Sequence, residues 1–79
     1  MNVEIITPDR VIFNSDAELV QLPGIDGSFE ILKNHAPFIS ALKKGKIKIR
    51  RSKESKDDFF EINGGVIEVL NDKVLVLAE

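Results

Sequence analysis

Turn-forming residues recur along most of this chain, and no window of it offers an amphipathic helix of ten residues. The stretch from Gln21 to Pro37 alone carries three turn signals: Pro23-Gly24, Asp26-Gly27 and Asn34-His35-Ala36-Pro37. Proline presets the backbone for a turn, and glycine supplies the positive φ that a tight reversal needs. Pro8-Asp9, Asn14-Ser15-Asp16, Lys44-Gly45, Asn63-Gly64-Gly65 and Asn71-Asp72 punctuate the rest. A chain reversing this often builds compact loops at the ends of β structure.

Between the turns the periodicity is two. Lys46-Ile47-Lys48-Ile49-Arg50 alternates strictly, with two isoleucines on one face and three cations on the other. That is a strand with one dry and one wet side. β-branched and aromatic content predicts strands over 3–7, 10–13, 18–22, 29–32, 38–42, 46–50, 59–63, 66–70 and 73–78. Nine short strands at this spacing predict an all-β fold with no substantial helix, a sandwich or a barrel. The expected core is Val3, Ile5, Val11, Phe13, Val20, Leu22, Phe29, Ile31, Phe38, Leu42, Ile47, Ile49, Phe60, Ile62, Val66, Val69, Val74 and Val76. Residues 51–58 carry no apolar side chain and read as a long, mobile hairpin loop, where solvent would keep Asp57 and Asp58 near ordinary acidity. Seventy-nine residues without a linker or repeat make one domain, 1–79, with a thin core.

The side-chain inventory argues against an enzyme. There is one histidine, and there is no cysteine, tyrosine or tryptophan. No His/Cys metal cluster can be assembled. No Gly-x-Ser-x-Gly elbow surrounds any serine, and no phosphate-cradling glycine loop opens a helix. The expectation is therefore no catalytic, metal or cofactor-binding residue. No apolar run is long enough to span a membrane and no secretory leader is visible, so a soluble cytoplasmic protein is expected.

Two features admit a binding role. His35 closes a turn through local backbone bonds, or it presents a ring with a polar tip to a partner. The charge is uneven: eight of the eleven basic residues lie between Lys43 and Lys56, although the net charge is only −2. Lys46, Lys48 and Arg50 are either the solvated face of a strand protected against edge pairing, or a phosphate-binding stripe of a small OB-like nucleic-acid-binding barrel spanning Lys43 to Lys53. Base stacking would need exposed aromatics, and adjacent Phe59 and Phe60 point to opposite faces of a strand, so only one can serve. Glu54, Asp57, Asp58 and Glu61 neutralise much of the local field.

Several segments, in order and at matching spacing, make a family resemblance. Val3-Glu4-Ile5-Ile6-Thr7-Pro8 with Val11-Ile12-Phe13 resembles the first hairpin of the epsilon subunit of bacterial F-type ATP synthase. Leu22-Pro23-Gly24-Ile25-Asp26-Gly27 is similar to its central loop, and Asn34-His35-Ala36-Pro37-Phe38-Ile39-Ser40-Ala41-Leu42 to its Gly-His-Ala-Pro segment and the strand after it. Gly45-Lys46-Ile47-Lys48-Ile49, Asn63-Gly64-Gly65-Val66-Ile67-Glu68-Val69 and Asp72-Lys73-Val74-Leu75-Val76-Leu77-Ala78 resemble its closing strands. The resemblance covers the N-terminal β domain of that family.

The resemblance implies a flattened sandwich of two five-stranded sheets, about ten strands. It implies a non-catalytic rotor subunit of the central stalk, at the cytoplasmic face of the bacterial inner membrane, peripheral through the complex. The implied partners are the gamma subunit and the c ring, with no nucleic acid, no cofactor and no required homo-oligomer. The role is to couple proton-driven rotation to ATP synthesis. By the same resemblance, His35, Ala36, Phe38 and Ser40 are expected to face gamma, and Asp26, Gly27, Ser28 and Phe29 the c ring. Phe38 is expected to be hard to cover in so small a core. The sequence departs from the family at Lys33-Asn34, where Pro-Gly is usual, at Glu30 in place of a common glycine, and at Ser28, where an acidic residue is common. Asn34 can take the same left-handed backbone. The family usually continues into a C-terminal helical hairpin, and this chain is expected to lack it because the sequence stops at Ala78-Glu79.

Overall fold

The computed structural model describes residues 1–79 and contains nine strands and no helix. They are β1 (Asn2–Ile6), β2 (Val11–Asp16), β3 (Leu19–Gly24), β4 (Gly27–Leu32), β5 (Phe38–Leu42), β6 (Gly45–Arg50), β7 (Asp58–Ile62), β8 (Gly65–Leu70) and β9 (Lys73–Ala78). Hydrogen bonding runs through all nine, in the order β2-β1-β9-β8-β5-β3-β6-β7, with β4 on β3. Between β5 and β3 that continuity is a single residue pair, Gly24 with Leu42. The curled sheet therefore resolves into a five-stranded layer, β2-β1-β9-β8-β5, and a four-stranded layer, β4-β3-β6-β7. This corrects the expected ten strands in five-plus-five. Every pairing is antiparallel except β1 with β9.

One ribbon joins the layers. Only Lys43-Lys44 separate β5 from β6, and only Asn63-Gly64 separate β7 from β8. Leu42 lies opposite Gly65 and Gly45 lies opposite Ile62, so the register is the same on both sides of the gap. β5–β6 and β7–β8 are thus one long hairpin, bent in the middle, that gives half its length to each layer. β3 holds the bend: Lys43 N donates to Pro23 O at 2.9 Å, and Ile25 N to Ala41 O at 3.3 Å. Gly64 and Gly65 have φ of +131° and +149°, values that side-chain-bearing residues rarely adopt. A Cβ on Gly65 would also collide with the carbonyl oxygen of Leu77.

Lys44-Gly45 and Asn63-Gly64-Gly65 are therefore bends in continuing strands, not chain reversals. Pro23-Gly24 is likewise no turn; both residues are buried in β3, and the reversal falls at Ile25-Asp26 with Gly27 at φ +133°. Asn14-Ser15-Asp16 is no turn either, because all three residues pair with β1 as the second half of β2, whereas two other readings hold. Asn71 and Asp72 take φ of 50° and 59° between β8 and β9, and Asn34 takes the left-handed conformation at φ 62°.

Sixteen buried apolar residues fill the space between the layers. Val3, Ile5, Val20, Leu22, Ile31, Leu42, Ile47, Ile49, Ile62, Val69, Val74 and Val76 are among them, as expected. Val11 and Val66 are not; they are 51% and 42% exposed. Side chains two apart share a face of a strand, so Val69 in the core requires Ile67 there, and Val66 must point out. Ile67 is fully buried. In β2 a register shift between Ile5 and Ile6 of the partner strand turns Val11 outward.

The two open seams between the layers are closed by aromatic pairs. Phe13 of β2 meets Phe60 of β7 edge-to-face at 5.3 Å, and Phe29 of β4 meets Phe38 of β5 at 5.4 Å. The His35 ring continues the second pair, 5.7 Å from Phe38. Such pairs add about 0.5–1.5 kcal/mol beyond their buried area. The connection before β7 is also held at its base. Arg50 forms a two-pronged pair with Asp57 at 3.0 and 3.2 Å, and Arg51 Nε approaches Asp58 Oδ2 at 3.0 Å. Inside it, the Ser55 hydroxyl accepts from Ser52 N at 2.9 Å and donates to Ser52 O at 3.1 Å. The Arg50 guanidinium, by hydrogen bond above all, holds the Asp57 carboxyl below the usual carboxylate range, which corrects the expectation of ordinary acidity.

Two measurements check this architecture. Phe38→Ala should lower unfolding free energy by about 2–3 kcal/mol in urea titration, the low end for a core phenylalanine because the ring is half-covered. Gly65→Ala should cost about 2 kcal/mol or more through its backbone conformation and the collision with Leu77. Asp57 contributes stability in its charged form, so its contribution is complete above the ordinary aspartate value of about 3.9. That contribution should fade as pH falls from there through the lowered folded value. The gap in urea midpoint between the native chain and Asp57→Asn should therefore be flat from pH 7 to pH 5 and close below pH 4.

Candidate functional site

A side chain that faces the space between layers is spent on folding, so partner contacts must come from the two outer faces and the end loops. The outer face of the four-stranded layer is charged. Register places Lys46 opposite Glu61, Lys48 opposite Phe59, and Gln21 between Glu30 and Lys48. Arg50 and Arg51 are already engaged by Asp57 and Asp58. Phe59 is 60% exposed and Phe60 packs against the core, so one stacking ring is available. A polyanion site wants free cations around several such rings, and this face supplies neither in number.

The outer face of the five-stranded layer is different. Val11, Ile6, Leu77, Val66 and Ala41 are cross-strand neighbours in one row over all five strands. The next row reads Asn14, Glu4, Leu75, Glu68 and Ile39. Ile39 is 70% exposed and Leu77 50%. The apolar row runs into a cleft of about 340 Å³ lined by Ile6, Thr7, Pro8, Leu77, Ala78 and Glu79. A contiguous apolar stripe on a small β domain, facing away from its core, is the signature of an interaction surface.

The residues nominated from sequence divide between loops and interior. Asp26, Gly27 and Ser28 are exposed at the β3–β4 hairpin tip, against the C-terminal end of β5. His35 and Ala36 are exposed at the opposite end, in the loop leading into β5, where Asn34 N donates to Asp72 Oδ1 at 3.4 Å. His35 Nδ1 lies 2.7 Å from Ala36 O, the local backbone contact expected of a turn-closing histidine. Phe29, Phe38 and Ser40 point inward and are half-buried. Phe38, expected to be hard to cover, is covered in part: it packs on the core and on Phe29, and the rest of its ring stays open.

Sequence reasoning missed Ile6, Val11, Ile39, Val66 and Leu77 as a surface. One signal was present. Val74-Leu75-Val76-Leu77-Ala78 is apolar in both parities, whereas a strand with one wet side alternates. Such a run announces that both of its faces are meant to be covered.

Comparison with known proteins agrees with the fold. The family model described as ATP synthase, delta/epsilon chain, β-sandwich domain matches residues 1–79. The ATP synthase epsilon chain of Chlorobium limicola is 42% identical over 77 residues, covering 98% of this chain and 86% of that one. The epsilon chain of Campylobacter concisus is 44% identical over 79 residues, but this chain spans only 60% of its length. In fold, the chain resembles one from the central stalk/c-ring structure of Tetrahymena thermophila mitochondrial ATP synthase, with a TM-score of 0.83 at 21% identity over 99% of this chain and 62% of that one. It also resembles one from the OSCP/F1/c-ring structure of the Euglena gracilis enzyme, with a TM-score of 0.87 at 18% identity over 96% of this chain and 48% of that one. Full-length agreement with the family model, and with relatives above 40% identity, places this chain in the ATP synthase delta/epsilon family as its β-sandwich domain.

Proposed function

We propose that this chain is a non-catalytic subunit of the rotor of an F-type ATP synthase, docking on the gamma subunit and resting on the c ring. The observation that carries the reading is the apolar row Val11–Ile6–Leu77–Val66–Ala41 on the outer face of the five-stranded layer. In a family of stalk subunits, a flat apolar face with no partner in its own chain is the natural seat for the shaft. The site on gamma's side therefore moves from Phe38 and Ser40, which the core uses, to the strand residues that alternate with them, Ile39 and Ala41. His35 and Ala36 remain exposed and can flank the same contact at the far end of β5.

The c-ring contact is assigned to the β3–β4 hairpin tip, Asp26, Gly27 and Ser28, with Phe29 holding the tip to the body through Phe38. Ile25, 59% exposed at the same reversal, supplies the apolar part of this contact beside the small and polar residues. A sandwich cross-braced by two aromatic seams suits the role, which is to transmit torque between gamma and the ring during proton-driven rotation. The reading places the chain peripherally, on the cytoplasmic face of the bacterial inner membrane, through the complex.

The test is co-purification and surface binding with the gamma subunit of the same enzyme. Leu77→Asp should weaken gamma binding by well over 1 kcal/mol, a hot-spot loss, while its thermal melt stays native-like because Leu77 is on the surface. Asp26→Ala with Ser28→Ala should leave gamma binding unchanged. Unaltered gamma binding by Leu77→Asp would remove this face from the interface.

A further inference from the structure

One carboxylate is out of keeping with the apolar face. Glu68 is exposed on β8, between β9 and β5 in the five-stranded layer, and its four nearest outward neighbours are all apolar: Ile39 and Leu75 across the strands, Val66 and Leu70 along its own. It takes part in none of the ion pairs of the structure. The cleft beside it, about 350 Å³, is lined by Glu68, Leu70, Asn71, Lys73 and Leu75. Its one cation, Lys73, is turned to Glu4 at 3.7 Å. Glu4, in the same row, thus has a partner within the chain, and Glu68 has none.

In the free chain water solvates Glu68 at no cost. Once a partner covers the surrounding apolar side chains, that water leaves, and a charge stripped of water must be paired. We propose that Glu68 sets the specificity of this face, and that the gamma subunit meets it with a lysine or arginine framed by apolar side chains. The proposal rests on the docking face assigned above. Its physical content is orientation. A bare apolar stripe would let a partner slide along the row or sit on it reversed, whereas one fixed charge among apolar neighbours admits a single register. The occupant is thereby defined by chemistry as an apolar strip carrying one cation.

Binding of the full 79-residue chain to gamma of the same enzyme tests this, with Glu68→Gln, Glu68→Leu and Glu68→Lys beside Leu77→Asp. Removing one member of a covered charge pair leaves the other stranded, so Glu68→Gln and Glu68→Leu should each weaken binding at least about 30-fold, and Glu68→Lys more. Thermal melts of the free variants should match the native chain, because Glu68 lies on the surface, and Glu68→Gln preserves shape should the leucine variant self-associate. Glu68→Leu binding as tightly as the native chain while Leu77→Asp fails to bind would keep the face and overturn the paired cation. Native-like binding by all four variants would overturn the docking face and the pairing with it. A self-association of the free chain that Glu68→Lys abolishes, with gamma binding untouched, would assign the face to a second copy and also overturn the proposal.

Discussion

The bent ribbon of β5–β6 and β7–β8 is the constraint on which the rest of this domain depends. Its strands keep one register through the bend, and each half recruits its own layer: β8 and β5 carry β9, β1 and β2, while β6 and β7 carry β3 and β4. Without the bend the ribbon would be a flat hairpin with no partner for its apolar side. With it, one side of the ribbon folds over on itself, and Leu42, Ile47, Ile49, Ile62, Ile67 and Val69 share one interior. Gly64 and Gly65 allow the bend by adopting backbone angles closed to other residues, and the Lys43 and Ile25 bonds to and from β3 hold it.

Closing a two-layer domain this small leaves long seams where backbone groups have no partner strand. The phenylalanines are placed there. Phe13 with Phe60 and Phe29 with Phe38 span the seams with rings too large for either layer alone. Four of the five phenylalanines of the chain are thereby committed to the fold. The fifth, Phe59, is the exposed neighbour of Lys48 on the charged face.

The interior and its two seams account for the inward half of every strand, and function is left to the outward half. There the two layers diverge. One outer face carries charge, with Lys46 opposite Glu61 and Arg50 paired to Asp57; the other is a five-strand apolar row with one unpaired carboxylate, Glu68, beside it. This asymmetry suits the role proposed above, since a domain apolar on both faces would adhere without discrimination.

Strand content was legible in the sequence because turn chemistry and period-two alternation are local properties. Lys46–Arg50 could be nothing but a half-buried strand, and Asn34, standing where the resembled family has glycine, was expected to take a left-handed backbone. Which turn signals reverse the chain was not legible. A glycine with positive φ serves a reversal at Gly27 and a bend at Gly64 and Gly65, and only the register of distant strands tells the two apart. The outward surface was hidden for the same reason. Val66 and Ile67 are both β-branched, and parity with Val69 assigns one to the core and one to the face only when the strand is taken as a single continuous element. That Glu68 stands among four apolar side chains depends on β5 and β9 lying to either side of β8. Such adjacency is decided by non-local pairing, which composition and spacing along one strand do not encode.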